Sequence, residues 1–198
     1  MISVSNKKWS ERIFDINRVD KCSQDNDFSQ ILSKLIISRK FNDEEIHSIN
    51  NPDSIIFSNV FRFNIDFKKA VKLVSDVIDR KGKICIFGDY DVDGSCATAL
   101  IIKFFKSIDH PHFYLIPDRE KDGYGLNVKL VKKIIKKQTK LIIMIDNGSN
   151  STKEINLLKE NKIDALVIDH HQINEPFPKA NVIINPKKNN GYIKNDYM

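Results

Sequence analysis

Apolar residues follow one spacing before residue 66 and another after it. In the first part they recur at helical spacing, and no segment alternates clearly between apolar and polar residues as a half-buried strand does. The helical set is Phe28, Ile31, Leu32, Leu35 and Ile36. Asn42 or Asp43 is suited to cap a further helix, because acidic residues follow in its first turn. The pattern predicts a helical N-terminal appendage over residues 1–65.

Short apolar segments alternate with helical segments after residue 66. The predicted strands are 83–87, 112–116, 141–145, 165–168 and 182–184. The predicted helices run from a cap at Asp66 to a stop at Lys81-Gly82, and then over 95–107, 128–137 and 151–161. Strands separated by single helices are typical of a parallel sheet, and strands that are apolar throughout indicate a sheet covered on both faces. Residues 66–198 are therefore predicted to form an α/β domain, a parallel sheet flanked by helices.

Carboxylates and histidines gather where three of the predicted strands end. The three segments are Gly88-Asp89-Tyr90-Asp91-Val92-Asp93-Gly94, Asp146-Asn147-Gly148 and Asp169-His170-His171. Parallel strands end at one edge of a sheet, so these side chains are expected to lie close together. So many carboxylates in one place repel one another unless cations compensate them. Carboxylate oxygens suit hard divalent cations, and histidine adds affinity for ions such as Mn²⁺.

The aspartate run by itself fits other kinds of site as well. A calcium-binding EF-hand loop would need a glutamate at its twelfth position, where the chain has Leu100, and no strand before it. In a haloacid-dehalogenase-like phosphatase, Asp91 would be the nucleophile and Asp93 its acid partner, but that class does not predict Asp169-His170-His171 after a later strand. A solvated acidic loop leaves the other two strand ends unexplained.

A two-metal phosphoesterase site accounts for all three strand ends. Two ions ~3.5–4 Å apart can clamp a phosphodiester and lower the pKa of a bridging water. Asp146 is suited to bridge both ions, because its strand end falls between the other two in the sequence. Of His170 and His171, one is suited to bind metal and the other to contact the scissile phosphate. The remaining histidines lack such a context and are predicted to be structural: His47, His110 and His112.

Composition adds little to this picture, but it excludes some classes of protein. The net charge of +6 suits nucleic-acid partners, although the chain is also rich in Lys, Asn and Ile in general. No apolar stretch approaches the ~18 residues that cross a bilayer and no signal peptide is evident, so a cytoplasmic protein without a membrane partner is expected. Three cysteines without Cys-x-x-Cys spacing argue against a disulfide framework or a cysteine zinc site, and Cys85 and Cys96 are predicted to be buried.

The three strand-end segments together resemble motifs one to three of the DHH phosphoesterase superfamily. Segment 117–126, Pro-Asp-Arg-Glu-Lys-Asp-Gly-Tyr-Gly-Leu, is similar to the Arg-x-x-(Asp/Glu)-Gly-Tyr-Gly-Leu stretch of one of its branches, the RecJ family of single-strand-specific DNA exonucleases. Ile184-Asn185-Pro186 and the helices ending near Asn51-Pro52 also fit that family. The resemblance covers nearly the whole chain.

This resemblance implies a 5′-to-3′ exonuclease that hydrolyses single-stranded DNA with two Mn²⁺ or Mg²⁺ ions, in DNA repair and recombination. A monomer with repair proteins as partners is expected. His171 would contact the scissile phosphate, while Arg119 and Tyr124 would hold the substrate strand. By the same resemblance, the metal ligands would be Asp89, Asp91, Asp93, Asp146 and His170.

The chain departs from the family pattern in its length. RecJ-type proteins continue into a fourth-motif aspartate and further domains, so the expectation is an N-terminal fragment that is weakly active or inactive by itself. Two alternatives stay open: another DHH phosphoesterase acting on short oligonucleotides or cyclic dinucleotides, and a truncated relic without catalysis. The lysines of segment 129–140 could follow DNA, although a solvated helix face is the favoured interpretation.

Overall fold

The computed structural model describes residues 4–8, 10, 14–51 and 65–188. The chain divides into two compact units, Met1–Ser58 and Asn59–Met198. The predicted boundary between residues 65 and 66 stays a prediction. The helix end predicted near Asn51-Pro52 agrees with a helix that ends at Asn50, while Pro52 itself lies outside the described residues. Within the described part of the chain, every helix is too short or too polar to cross a membrane.

The described residues of the first unit form three short helices. They are α1 (Ile16–Asn26), α2 (Gln30–Ser38) and α3 (Asp43–Asn50). Helix α3 begins with a capping box, in which the Asn42 side chain accepts from the Glu45 backbone N–H at 2.9 Å and the Glu45 carboxylate accepts from the Asn42 N–H at 2.7 Å. The helical spacing around Ile36 correctly predicted α2, whereas α1 was not predicted.

The described residues of the second unit form four helices and five strands. In chain order the elements are α4 (Ile65–Asp79), β1 (Ile84–Phe87), α5 (Val92–Ser107), β2 (His112–Leu115), α6 (Val128–Lys136), β3 (Leu141–Ile145), α7 (Thr152–Glu160), β4 (Asp164–Ile168) and β5 (Val182–Ile184). The strands form one sheet in the order β2-β1-β3-β4-β5, and all four pairings are parallel. This confirms the predicted α/β class with a parallel sheet.

Helices cover both faces of the sheet, as the uninterrupted apolar strands predicted. Every residue of β1 and β3 is buried. Ile142 and Met144 of β3 belong to a core cluster that includes residues of α6 and α7, whereas Leu141 and Ile143 belong to a second cluster with residues of α4 and α5. Alternate side chains of one strand thus enter two different cores, which accounts for a strand with no polar face.

The order of the strands fixes where a ligand would bind. The chain passes from β1 outward to β2, and then returns to add β3 on the other side of β1. In a parallel sheet of this kind, the crevice lies at the carboxyl ends of the strands, where the order reverses. The aspartate run follows β1 and Asp146 follows β3, so both lie at this reversal.

Two local predictions are wrong. Asp66, predicted as the cap of α4, lies within its first turn, and its carboxylate accepts a hydrogen bond from Lys188 Nζ at 2.9 Å. Cys96, predicted to be buried, is exposed, because it lies on the outer side of α5, whereas Cys85 is buried as expected.

Candidate metal centre

The loop after β1 has two carboxylates at the edge of the crevice, and a different backbone N–H group donates to each of them. Asp89 is buried, and its Oδ1 accepts from the Tyr90 backbone N–H at 2.7 Å. Asp91 is the N-cap of α5 and accepts from the Gly94 N–H at 2.9 Å. A Cβ at Gly94 would lie 2.5 Å from Asp89 Cβ, so only glycine lets the first turn of α5 pack this closely against Asp89.

The residue after β3 is a buried aspartate with an unsatisfied oxygen. Asp146 adopts a φ of 61°, in the left-handed region, and its backbone N–H donates to the Ile168 carbonyl at 2.9 Å. One carboxylate oxygen, Oδ1, lies 3.0 Å from His170 Nε2. The other, Oδ2, is buried and accepts no hydrogen bond from any part of the chain that the structure describes. Burial and the nearby charge of Asp91 raise the pKa of Asp146, and the attraction of His170 and His171 only partly offsets them.

The residue after β4 is a buried aspartate whose oxygens are both occupied. Asp169 Oδ2 accepts from the Ser149 N–H at 3.0 Å, and Oδ1 accepts from the backbone N–H groups of His170 at 2.8 Å and His171 at 3.1 Å. The His171 ring adds a fourth contact, with Nδ1 2.8 Å from Oδ1. Burial by itself would raise the pKa of Asp169, but the hydrogen bonds from Ser149 and His171 outweigh it and hold the pKa below its usual range.

The ion pair with Asp169 also fixes the state of the His171 ring. An ionised carboxylate can only accept, so Nδ1 of His171 must carry the proton and Nε2 is left for another partner. Burial opposes a charged imidazole, but the hydrogen bond and the charge of Asp169 outweigh burial and raise the pKa of His171. The Nδ1 atom lies 4.0 Å from Asp146 Oδ1, well beyond its 2.8 Å contact with Asp169.

Two groups of side chains could each hold a metal ion, and Asp146 belongs to both. The ligand atoms of each group lie within 4.8 Å of one another. One group is Asp89, Asp91 and Asp146, and the other is Asp146, His170 and His171. Four of the five predicted ligands therefore come together. The fifth, Asp93, is an exposed residue in the first turn of α5 and belongs to neither group among the described residues, so its role as a ligand stays a prediction.

The two residues predicted to hold the substrate strand lie beside this centre. Tyr124 Oη is 3.4 Å from His171 Nδ1, and the two rings meet edge to face with centroids 6.0 Å apart. Partial burial, together with the charges of the surrounding aspartates, raises the pKa of Tyr124, so its hydroxyl stays protonated. Arg119 is exposed, and its guanidinium carbon lies 5.4 Å from the centroid of the Tyr90 ring, within the aspartate run.

Sequence reasoning gave no role to several residues that hold the centre together. Asp169 was recognised only as part of a motif, and Asn185 only as part of a triplet. In the structure, the Asn185 side-chain amide donates to Ser149 Oγ at 2.7 Å and to the His171 carbonyl at 3.0 Å. The position of Asn185 in the sequence could have indicated this role, because Asn185 follows β5 just as the other site residues follow their strands.

Comparison with known proteins identifies relatives for most of the chain. The sequence profile of the DHH family, N-terminal domain, matches residues 83–191, more than half of the chain. The single-stranded-DNA-specific exonuclease RecJ of Haemophilus influenzae is 33% identical over 145 residues, which are 73% of this chain and 24% of that protein. The enzyme of the same name from Bacillus subtilis is 26% identical over 185 residues, 93% of this chain and 23% of that protein. The chain thus spans about a quarter of the length of these curated relatives.

A solved structure shares the fold. A crystal structure of an exonuclease RecJ bound to manganese superposes with a TM-score of 0.56 and 23% sequence identity. The match covers 67% of this chain and 32% of that one. At this level of identity the likeness supports the architecture of the sheet and its helices.

Proposed function

The chain belongs to the DHH family, and from this premise we propose that it hydrolyses phosphodiester bonds with the help of two divalent cations, Mn²⁺ or Mg²⁺. The observation that carries the proposal is the sharing of Asp146 between two groups of potential ligands. A carboxylate with two oxygens can contribute to both ions of a pair, whereas two unrelated sites would have no ligand in common.

The residues present fit such ions. Asp146 Oδ2 is buried without a hydrogen-bond donor among the described residues, and a buried carboxylate oxygen in that state is costly unless a cation balances it. The raised pKa of Asp146 has the same origin, namely burial and the charge of Asp91. Carboxylate oxygens with one imidazole nitrogen are a donor set suited to Mn²⁺, and also to Mg²⁺ where the imidazole contributes little.

Each ligand has a defined role in this proposal. Asp89 and Asp91 would hold one ion, His170 the other, and Asp146 both. Bound there, the cations would supply a water of lowered pKa and neutralise charge on the phosphate. Asp93 is proposed as a further ligand on the resemblance alone.

The chain's own residues would bind and orient the phosphodiester. His171 binds Asp169 through Nδ1, which leaves Nε2 directed away from Asp169, and in the charged ring that the raised pKa favours, the Nε2–H group can donate to a phosphate oxygen. Tyr124 stays protonated beside it and can donate a hydrogen bond. Arg119 offers a charge-assisted contact to a phosphate further along the strand, and Tyr90, which lies under its guanidinium, restricts its position.

The proposed substrate is single-stranded DNA, degraded from 5′ to 3′ during repair and recombination. Support comes from the segment Arg119 to Leu126 and from the activity named for the relatives. We further propose that the chain acts as a monomer, with other repair proteins as partners.

Calorimetric titration of Mn²⁺ tests the metal centre. Two ions per chain are expected for the unaltered protein, and both should bind more weakly in Asp146→Ala because that residue is common to both groups. Failure of Mn²⁺ to bind, or binding that Asp146→Ala leaves unchanged, would contradict the two-metal proposal and favour a non-catalytic relic.

A second assay tests the substrate. With Mn²⁺ present, single strands labelled at either end should release labelled mononucleotides early only when the label is at the 5′ end. Activity on dinucleotides or cyclic dinucleotides, with none on longer strands, would instead indicate another kind of DHH phosphoesterase. Asp164→Asn is the control variant for Asp146→Ala in both assays, because Asp164 lies at the opposite end of β4 from Asp169 and therefore away from the candidate metal centre.

A further inference from the structure

Hydrogen bonds join three strand ends into a closed circuit behind the candidate metal centre. Asn185 Nδ2 donates to Ser149 Oγ at 2.7 Å, and the Ser149 backbone N–H donates to Asp169 Oδ2 at 3.0 Å. Asp169 Oδ1 in turn accepts from the N–H and the ring of His171. The His171 carbonyl closes the circuit by accepting from Asn185 Nδ2 at 3.0 Å. The members come from the segments after β3, β4 and β5.

Three of the four members are removed from solvent. Ser149 is 1%, Asn185 3% and Asp169 7% exposed, while His171 is about half-exposed at the crevice. Hydrogen bonds inside the protein are stronger than in water, and their partners cannot be replaced by solvent when one is removed. The circuit therefore constrains the one exposed member through three buried ones.

Asn185 has an unusual share of these contacts. Its Nδ2 provides both donors, one to the loop after β3 and one to the loop after β4, and its Oδ1 accepts from the Lys187 N–H at 2.8 Å. Asn185 is thus the link by which β5 fixes the two loops relative to each other. Within the described residues, no other side chain donates to both loops.

We infer that Asn185 is a positioning residue: by holding the His171 carbonyl and Ser149 together, it keeps the His171 imidazole against Asp169 and its Nε2 directed to the crevice. The inference rests on the proposed function for its kinetic consequence, but its structural part does not. Partners of this kind, which orient a residue of a metal site without touching the ion, typically change activity by ~10–100-fold when removed.

The test variant is Asn185→Asp, and the control variant is Asn181→Ala. Asn185→Asp keeps the size and the acceptor for Lys187, but it loses the donor to His171 and places a carboxylate oxygen near the His171 carbonyl. Asn181 is also an asparagine with two side-chain contacts to β4, to the Ala165 N–H at 2.9 Å and to Asp164 at 2.7 Å. These contacts lie where β4 begins, at the opposite edge of the sheet, so Asn181→Ala controls for general loss of stability.

The kinetic readout is the division of the effect between kcat and KM for a single-stranded substrate with saturating Mn²⁺. Asn185→Asp should lower kcat by roughly tenfold or more, with little change in KM or in Mn²⁺ affinity. Asn181→Ala should lower the melting temperature but leave kcat unchanged. A kcat of Asn185→Asp within about threefold of the unaltered protein, or equal losses in both variants, would overturn the inference.

A second readout needs neither metal nor activity. Two-bond ¹H–¹⁵N spectra of the histidine rings distinguish a proton on Nδ1 from one on Nε2, and the signal of His171 is identified by its disappearance in His171→Gln. In the unaltered chain Nδ1 of His171 should carry a proton whether or not Nε2 is also protonated, and Asn185→Asp should show exchange with a form protonated on Nε2 alone. An unchanged His171 signal overturns the positioning role even if kcat falls. Absence of phosphodiesterase activity would bear on the proposed function alone, and this readout would then decide the inference by itself.

Ser149→Ala provides a second variant should Asn185→Asp fail to fold. It removes the acceptor for one Asn185 donor and keeps the Ser149 N–H that binds Asp169. The same exchange with a form protonated on Nε2 alone is expected, to a smaller degree, and its absence would overturn the inference. If both variants fold, the double variant should be no more impaired than Asn185→Asp, because the two changes break the same link.

Discussion

The ends of β3 and β4 carry two buried aspartates whose carboxylates have different hydrogen-bond partners. Asp146 and Asp169 are each 7% exposed, and they follow adjacent parallel strands. Asp169 accepts three backbone hydrogen bonds and one ring contact, which occupy both of its oxygens. Asp146 contacts His170 through one oxygen and has no donor for the other among the described residues.

The pKa values of the two carboxyls move in opposite directions for this reason. Burial acts on both, but donors outweigh it at Asp169, whereas the charge of Asp91 adds to it at Asp146. The protein therefore stabilises the charge of Asp169 by itself and leaves the charge of Asp146 to be stabilised by something else. Hydrogen bonds within the fold satisfy the charge at the end of β4, whereas in the proposed function a bound cation would satisfy the charge at the end of β3.

The largest effect expected from this difference is on metal affinity. Asp146→Asn should weaken Mn²⁺ binding by roughly 100-fold or more, because it removes a charge common to both groups of ligands. Asp169→Asn should weaken Mn²⁺ binding by only about tenfold, because Asp169 acts through His170 and His171. Calorimetric titration of both variants under the same conditions measures the ratio. Equal losses would show that the two aspartates do not differ in the proposed way.

The second effect is on the stability of the metal-free protein, and it has the opposite order. Asp169→Asn should lower the free energy of unfolding by about 2 kcal/mol, since it weakens hydrogen bonds to a charged acceptor. Asp146→Asn should raise it by roughly 1 kcal/mol, since it removes a buried charge that His170 and His171 compensate only in part. Urea unfolding with a chelator present measures both. Destabilisation by Asp146→Asn would mean that the fold itself satisfies that carboxylate.

Much of this contrast lies beyond what the sequence could predict. The apolar segments predicted the bounds of the strands to within a residue, as with β3 at Leu141–Ile145. The ends of these segments predicted the sheet edge at which Asp146 and Asp169 meet. The apolar pattern concerns only residues that are neighbours in the chain, but it also predicts which distant residues meet, because parallel strands bring their carboxyl ends together. Asp146 and Asp169 have the same position relative to their strands, so position does not distinguish them.

What distinguishes them is the set of donors that tertiary structure brings to each. Ser149 and Asn185 are 36 residues apart in the chain, and neither belongs to a pattern with a fixed period. The error at Asp66 has a related origin, because its carboxylate pairs with Lys188, 122 residues away, instead of capping its own helix. Contacts of such separation depend on the register of the strands, which the sequence pattern leaves open.

The pH dependence of stability offers a third way to separate the two aspartates. The lowered pKa of Asp169 means that its stabilising contribution is present above the ordinary carboxyl pKa and is lost as pH falls through its value in the folded protein. The raised pKa of Asp146 has the opposite sign, so its contribution is present below the ordinary value and is lost as pH rises through the folded value.

In the metal-free protein, Asp169→Asn should therefore flatten the fall in stability below about pH 4, and Asp146→Asn should flatten the decline with rising pH above about pH 4. Urea unfolding across this range measures both slopes. The two variants act on opposite sides of the ordinary carboxyl pKa, so a change on the same side in both would contradict the assigned directions.

The smallest effect extends the comparison to the loop after β1. Asp91 belongs to a potential metal group, whereas Asp93 is exposed and outside both groups, although the resemblance predicts that it too is a ligand. If Asp93 stays outside the metal site, as its exposed position indicates, Asp93→Asn should weaken Mn²⁺ binding only a few-fold, about what a nearby carboxylate contributes by charge alone. Asp91→Asn should weaken Mn²⁺ binding far more. Calorimetric titration of the two matched variants decides this, because equal losses would establish Asp93 as a ligand and show that the loop rearranges when metal binds.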